Sequence, residues 1–295
     1  MTPDSMGVVA VVVTHNRSEE LKQVVAALLS QTLKPDHIVV IDNASTIPVV
    51  AGTPSSSTFH VVRSEINHGG AGGFALGLET GLSFNPKWIW LLDDDAVPHP
   101  SALECLLEVH CQLPAKTGAM CPAVYEFGSL ALMHRRKYSH ALGIETPVSA
   151  ENYVVATHEI DTASFVGFLV LTDAVREIGM PDIRFFVSYD DIEYSLRLKK
   201  FGWRIWLVPA SQIDHMRVQA SRMRHSQFGV KHYYNVRNMV FLSGEYSEFK
   251  FLSIFLAIIT GIAIWAVSRK KFSVMSLRML FRAIWDGLKG RLGEF

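Results

Sequence analysis

The chain has 295 residues, 49% of them hydrophobic and 19% charged, which excludes a disordered or coiled-coil protein and suits one large α/β domain or two small ones. Basic and acidic side chains number 28 each, a neutral total that argues against a chain given wholly to nucleic acid. That total hides a division: residues 1–216 hold 15 Lys+Arg against 24 Asp+Glu, net −9, while residues 217–295 hold 13 against 4, net +9. A basic C-terminal part of this kind is expected to meet something anionic.

Gly7 to Val13 is a β-branched run that reads as a buried first strand, with Thr14-His15-Asn16-Arg17 as its exit loop. No basic stretch precedes it, so no secretory leader is expected. Leu21, Val24, Val25, Leu28 and Leu29 then recur at helical spacing. His37 to Ile41 predicts a second strand ending at Asp42-Asn43, and Phe59 to Arg63 a third, after a Pro/Ser/Thr-rich loop. A glycine-rich loop, Asn67 to Gly73, leads to a helix opening near Phe74. Trp88 to Leu92 is a fourth strand, closed by Asp93-Asp94-Asp95. This alternation predicts a doubly wound sheet of parallel strands. Cys105, Cys111 and Cys121 form no CxxC pair and read as core thiols of a reducing compartment.

Between about 119 and 171 the pattern loosens, with Phe165 to Leu171 the strongest strand candidate. Asp190 to Lys200 reads as an amphipathic helix, Trp203 to Val208 as a strand, Arg217 to Ser226 as a basic loop and Val230 to Leu242 as a helix. Phe251 to Val267 is uncharged for 17 residues, reaching ~26 Å as a helix against a hydrocarbon core of ~30 Å. The segment after it interleaves Phe272, Met275, Leu280, Phe281, Ile284, Trp285 and Leu288 with Arg278, Arg282, Lys289 and Arg291. That pattern suits an amphipathic helix on an anionic membrane surface. A helical pair packed on the protein, or on a second copy in a homo-oligomer, is the plainer alternative.

Three constellations can carry chemistry. A hydrophobic strand delivers Asp93, Asp94 and Asp95 to the carboxyl edge of the sheet, where open α/β folds bind ligands. Carboxylates so crowded raise one another's pKa unless a cation compensates, and hard ions such as Mg²⁺ and Mn²⁺ suit them. The glycines from Gly69 to Gly73 offer backbone N–H groups before a helix, where phosphate oxygens can dock. Asp190, Asp191 and Glu193 open a helix, and Asp191 and Glu193 cannot share its face. A solvated acidic turn, a flexible turn and simple capping are the respective structural alternatives. No GxSxG elbow, P-loop, zinc spacing or RNA-binding signature is present.

In order, VVVTHNR, VIDNAS, NHGGAGGF, WIWLLDDDA, FFVSYDDIEYSLRLKKFGWRIW, IDHM and YYNVRN resemble the family 2 glycosyltransferases with the GT-A fold, over about residues 7–242. Among these the pattern is most similar to bacterial galactofuranosyltransferases, with rhamnosyltransferases as neighbours. The resemblance implies a GT-A-type domain over 1–242 with a doubly wound mixed sheet, and the patterning of the tail adds a C-terminal amphipathic helical, membrane-associating region over 243–295. It further implies Thr14, Asn16 and Arg17 beside a nucleotide, Asp42 at the uracil or ribose, and Arg63 at the base. Asn67, Gly69, Gly70, Gly72 and Gly73 would line the donor pyrophosphate and sugar, with Asp94 orienting donor or metal water. Asp93, Asp95 and His215 would hold Mn²⁺ or Mg²⁺, Asp191 would be the catalytic base, and Asp190 would support it. Tyr234, Arg237 and Asn238 fall in a family motif with no role derivable from sequence. The implied reaction moves galactofuranose from a UDP-sugar to a lipid-linked glycan at the cytoplasmic face of the bacterial inner membrane, as in O-antigen synthesis. A dTDP-rhamnose donor, or a silent nucleotide-sugar-binding scaffold, are the competing readings.

Overall fold

A computed structural model of the chain describes residues 7–49, 57–217, 226–268 and 273–295. The first strand, β1 (Val8–Thr14), is buried along its whole length because its β-branched residues are covered on both sides. Val9, Val11 and Val13 enter one core, and Val8, Ala10 and Val12 the other. Helix α1 (Ser18–Leu29) returns the chain, burying Leu21, Val24, Val25 and Leu28 at the expected spacing. Strands β2 (His37–Asn43) and β3 (Phe59–Ser64) then extend the sheet in parallel.

Helix α2 (Gly69–Leu82) starts five residues earlier than its sequence suggests, so most of the expected glycine loop is helix. Glycine costs about 1 kcal/mol per helical position relative to alanine. Here close approach explains it. A Cβ on Gly73 would lie 2.5 Å from Val13 Cγ1, and one on Gly77 only 2.3 Å from Val11 Cγ1. The glycine face lets α2 lie directly on β1.

Strand β4 (Trp88–Asp93) pairs in parallel with β1, so β3-β2-β1-β4 forms a parallel half sheet. Beyond it come β5 (Ala96–Pro98), α3 (Ala102–His110), β6 (Thr117–Glu126) and β7 (Ser129–Leu130). Of the three thiols expected in the core only Cys121, on β6, is buried, while Cys111 at the end of α3 is exposed. Strands β8 (Arg135–Ser139), β9 (Ile144–Pro147), β10 (His158–Ile160) and β11 (Thr162–Ala163) follow. Of these, β11, β8 and β9 form a separate three-stranded sheet.

Strand β12 (Phe168–Leu171) is shorter than the expected Phe165–Leu171, because Gly167 turns the chain at φ +75°. It lies antiparallel between β4 and β6, making the large sheet mixed. Helices α4 (Thr172–Ile178) and α5 (Asp190–Lys200) come next. Strand β13 (Arg204–His215) runs past the expected end at Val208. Its ladder to β6 breaks between Val208 and Gln212, and Pro209 falls in that irregularity, where no ladder donor is needed. The continued strand carries His215 itself, well beyond the expected strand end. The eight-strand path runs β10-β13-β6-β12-β4-β1-β2-β3.

Helices α6 (Val230–Tyr246), α7 (Lys250–Val267) and α8 (Val274–Leu288) pack together, with α6 against both others. The expected boundary after residue 242 falls inside α6. Gly261 and Gly287 permit the contact: a Cβ there would meet Val236 at 2.8 Å and the Arg237 carbonyl at 2.6 Å. Helix α7 buries only Ser253, Ala257 and Gly261 fully, and leaves Phe251, Phe255, Ile259 and Ile262 exposed. Its mean hydropathy is 2.1, and by length and composition it could cross a membrane. Met275, Phe281, Trp285 and Leu288 continue the exposed apolar surface onto α8. Most of the expected basic loop 217–226 lies outside the described residues.

Candidate active site

The carboxyl ends of β1, β2, β3 and β4 converge, bringing Thr14, Asp42, Arg63 and Asp93 to one edge of the sheet, as open α/β folds require of a ligand site. Asp94 and Asp95 turn away from β4 toward the β1 exit loop. Thr14 Oγ1 donates to Asp94 Oδ2 at 2.8 Å, and Arg17 Nη1 reaches Asp94 Oδ1 at 3.2 Å and Asp95 Oδ2 at 2.6 Å. Burial still raises the Asp94 pKa despite Thr14 and Arg17. Arg17 thus joins two of the three triplet carboxylates.

Among the described residues no arginine or lysine pairs with Asp93. Burial first, then the charge of Asp95, pushes its pKa up to about 7, against a lowering pull from His215. Asp95 moves the other way: burial would raise it, but the His215 hydrogen bond and Arg17 outweigh that and lower it. His215 Nε2 lies 3.1 Å from Asp95 Oδ1. Burial alone would lower the histidine, yet hydrogen bonds to Asp95 and Glu126 raise its pKa to about 9. Asp93, Asp95 and His215 each offer a ligand atom within 4.8 Å of the others. Two carboxylate oxygens and one imidazole nitrogen are a donor set that Mn²⁺ accepts readily. The residues therefore fit a divalent cation.

The second acid group lies on α5. Asp190 is buried and Asp191 half-buried, and both face the cavity that Asp93 and His215 also line. Burial and the neighbouring Asp191 push Asp190 well above the usual carboxylate range. Asp191 is raised to about 6 by burial, partly countered by Arg136. Glu193, on another face, instead pairs with Arg197 at 2.8 Å.

The chain before this pair is unusual. Phe186, Ser188 and Tyr189 all have positive φ, at 64°, 67° and 68°. The α6 motif holds them: Asn238 Nδ2 lies 3.1 Å from the carbonyls of Phe185 and Val187 and 2.7 Å from that of Ser188. Arg237 Nη2 donates to the Phe185 carbonyl at 3.0 Å. This contact set gives Arg237 and Asn238 the role that sequence could not supply. Tyr234 stacks on Phe186, ring centroids 5.0 Å apart.

At the far side, Asp42 accepts from the backbone N–H groups of Ser45 and Val49 and from Arg63 Nη1 at 2.5 Å. Burial opposes ionisation there, but these donors lower its pKa. Asn16, at φ 57°, accepts from the Thr46 N–H at 2.7 Å. Asn67 Oδ1 accepts from Asn43 Nδ2 at 3.0 Å and from the Gly69 N–H at 2.8 Å. Among the expected glycines, Gly70 lines the cavity opposite Asp190. Gly69 presses on the Phe186 carbonyl, Gly72 on His68 and Gly73 on Val13, so these three serve close packing. Sequence reading missed Asn43, which ties β2 to the start of α2, and Glu126, which accepts from His215; an isolated Asn or Glu at a strand end gives no signal.

The cavity has a volume of about 1120 Å³. It runs from Asp93 and His215 past the α5 acids and the Arg136–Glu145 ion pair of the small sheet to Leu256, Thr260 and Ile264 on α7. A curled mixed sheet with carboxylates at its strand ends and a cleft beside them is the architecture of GT-A glycosyltransferases. A solved structure of this kind, GalNAc-T7 with UDP, GalNAc and Mn2+, matches with a TM-score of 0.68 at 13% identity, over 95% of this chain and 54% of that one.

Residues 9–179 match glycosyl transferase family 2, and the chain belongs to that family. It is 33% identical over 258 residues to galactofuranosyltransferase GlfT1 of Mycolicibacterium smegmatis, covering 81% of this chain and 83% of that protein. GlfT1 of Mycobacterium tuberculosis is 34% identical over 206 residues, covering 66% and 65% respectively. The protein is a glycosyltransferase.

Proposed function

We propose that the protein is a metal-dependent, inverting galactofuranosyltransferase that uses UDP-galactofuranose and a lipid-linked glycan acceptor. One observation carries the chemistry: Asp93 and His215 of the Asp93, Asp95 and His215 donor set line the same cavity as the Asp191 carboxylate. The donor sugar rests on the two GlfT1 relatives. Asp93, Asp95 and His215 would hold Mn²⁺ or Mg²⁺, which when bound supplies positive charge against the departing diphosphate.

Asp191 takes the proton of the acceptor hydroxyl as that oxygen attacks the anomeric carbon. Its Oδ1 already accepts the Ile192 N–H at 2.8 Å, which leaves Oδ2 for the proton. Attack from the side opposite the leaving group inverts the anomeric configuration. Asp190 crowds Asp191, and Arg136 moderates the resulting charge. Thr14 and Arg17 fix the triplet, while Asp42 and Arg63 shape the nucleotide end. Gly70 lines the cavity beside Asp190, while Asn16 and Asn67 brace the neighbouring loops.

The acceptor class is supported by the apolar arm of the cavity along α7, and by the exposed apolar faces of α7 and α8 flanked by Arg278, Arg282 and Lys289. Such a surface suits peripheral contact with anionic lipid at the cytoplasmic face of a bacterial inner membrane. The product would be a bacterial cell-surface glycan such as O-antigen. A panel of nucleotide sugars with a lipid-linked acceptor, with and without Mn²⁺, tests the proposal. Transfer from UDP-galactofuranose that stops in EDTA is expected. Transfer from dTDP-rhamnose alone would overturn the donor, turnover without metal would overturn the cation's role, and UDP binding without any transfer would favour a scaffold.

A further inference from the structure

We propose that Glu126, at the end of β6, is the positioning residue for His215, holding the imidazole by Nδ1 so that Nε2 is presented to the cation. The inference rests on the proposed metal site and adds a residue to it.

The hydrogen bonds settle which atom carries each proton. Arg135 can only donate, and its Nη1 reaches Ser164 Oγ at 3.3 Å. Ser164 Oγ also lies 2.7 Å from His134 Nδ1, where the hydroxyl can donate or accept. An ionised carboxylate only accepts, so His134 Nε2 is the donor to Glu126 Oε1 at 3.1 Å. The same oxygen lies 3.0 Å from His215 Nδ1. Glu126 is thus a carboxylate fed by two imidazoles, with Arg217 Nη1 at 3.5 Å. His215 must carry a proton on Nδ1, and its Nε2 faces Asp95 and the cavity.

A metal-binding histidine that donates its second N–H to a carboxylate is held in one tautomer and one ring orientation, and losing that carboxylate weakens metal binding roughly 10–100-fold. The rings of His134 and His215 meet edge to face with centroids 5.2 Å apart, which keeps His215 from swinging toward β8. A competing arrangement would place the cation among Glu126, His134 and His215, whose ligand atoms also lie within 4.8 Å. Two observations oppose it. Glu126 Oε1 is already occupied by N–H donors, and His134 Nδ1 is occupied by Ser164.

The test is Mn²⁺ binding to the full chain in the presence of UDP, followed by calorimetry and by the electron paramagnetic resonance of free Mn²⁺. Glu126→Ala should weaken binding about 10–100-fold. Glu126→Gln, whose amide oxygen can still accept from His215, should recover most of it, which a merely structural glutamate would not do. His134→Ala should cost far less than His215→Ala. Wild-type affinity in Glu126→Ala, or no recovery in a folded Glu126→Gln, overturns the inference. Equal damage from His134→Ala and His215→Ala places the cation in the competing trio and overturns it too. A wild-type chain that takes up no Mn²⁺ with UDP overturns the metal reading beneath it.

Discussion

Cation binding at this site should compete with a proton on His215, and pH is the perturbation that reveals it. In the metal-free chain both ring nitrogens of His215 are held by carboxylates, which raise its pKa to about 9. A cation must displace the proton on Nε2. At pH 7, two units below that pKa, the displacement costs roughly 2.7 kcal/mol, a factor of about 100 in affinity. Apparent Mn²⁺ affinity should therefore rise about tenfold from pH 7 to pH 8 and flatten above about pH 9. Below pH 7 the dependence should steepen, because Asp93, at about 7, must also lose its proton. The sign for stability is opposite. His215 is raised above its unfolded value, so its contribution to the metal-free fold is complete below about pH 6.5 and is lost as pH rises through about 9. Calorimetry in two buffers of different ionisation heat measures both affinity and protons released. An affinity unchanged between pH 6.5 and 8.5, with no proton release, would refute the argument.

Asp191→Asn should retain UDP binding while turnover drops about 10²–10⁴-fold, and wild-type activity should fall below about pH 6 as the raised carboxylate takes up its proton; equal turnover in the variant would remove Asp191 from the reaction. Gly77→Ala pushes a methyl to 2.3 Å from Val11 and should destabilise the fold by about 1–3 kcal/mol, read as a lower thermal midpoint. An unchanged midpoint would mean that α2 does not rest on β1 as described. Phe255→Glu combined with Phe281→Glu alters two exposed apolar side chains that do not line the cavity. Co-sedimentation with anionic vesicles should drop sharply while UDP binding is kept, and undiminished vesicle binding would exclude this face as the membrane contact.

The order of the elements was legible because each signal was local. Strand β1 is a β-branched run, β4 a hydrophobic run stopped by acids, and α5 an amphipathic segment. Errors arose where a tertiary contact reverses a local preference. Glycines from Gly69 to Gly73 look like a loop by propensity, yet the closeness of the Phe186 carbonyl to Gly69, of His68 to Gly72 and of Val13 to Gly73 leaves no room for a Cβ where α2 begins. Pro209 looks like a strand end, yet it falls at an irregularity in β13, and the strand goes on to carry His215. The site was legible in the same uneven way. Consecutive acids such as Asp93-Asp94-Asp95 and Asp190-Asp191 announce themselves, whereas Glu126 becomes informative only when β6 and β13 pair and bring it 3.0 Å from His215.

The segment before the α5 acids shows why the C-terminal helices belong with the chemistry. Left-handed backbone at a residue with a Cβ costs roughly 1–2 kcal/mol, and Phe186, Ser188 and Tyr189 incur it within four positions. At Phe186 the chain reverses through a three-residue turn closed by the Val187 N–H on the Phe185 carbonyl at 2.8 Å. That turn leaves carbonyls pointing away from any strand or helix, and Asn238 and Arg237 take them. Tyr189 then enters α5 in the left-handed region, which sets Asp190 and Asp191 in its first turn, facing the cavity. Loss of the Asn238 side chain would take this donor from the Val187 and Ser188 carbonyls, at about 1–3 kcal/mol for each left buried, and the turn would relax. Helix α6 is also the surface on which α7 and α8 pack. One helix therefore fixes both the acid pair and the apolar face that would meet the membrane. Under the proposed function, a lipid-linked acceptor guided along α7 meets a base whose position is held from the same side.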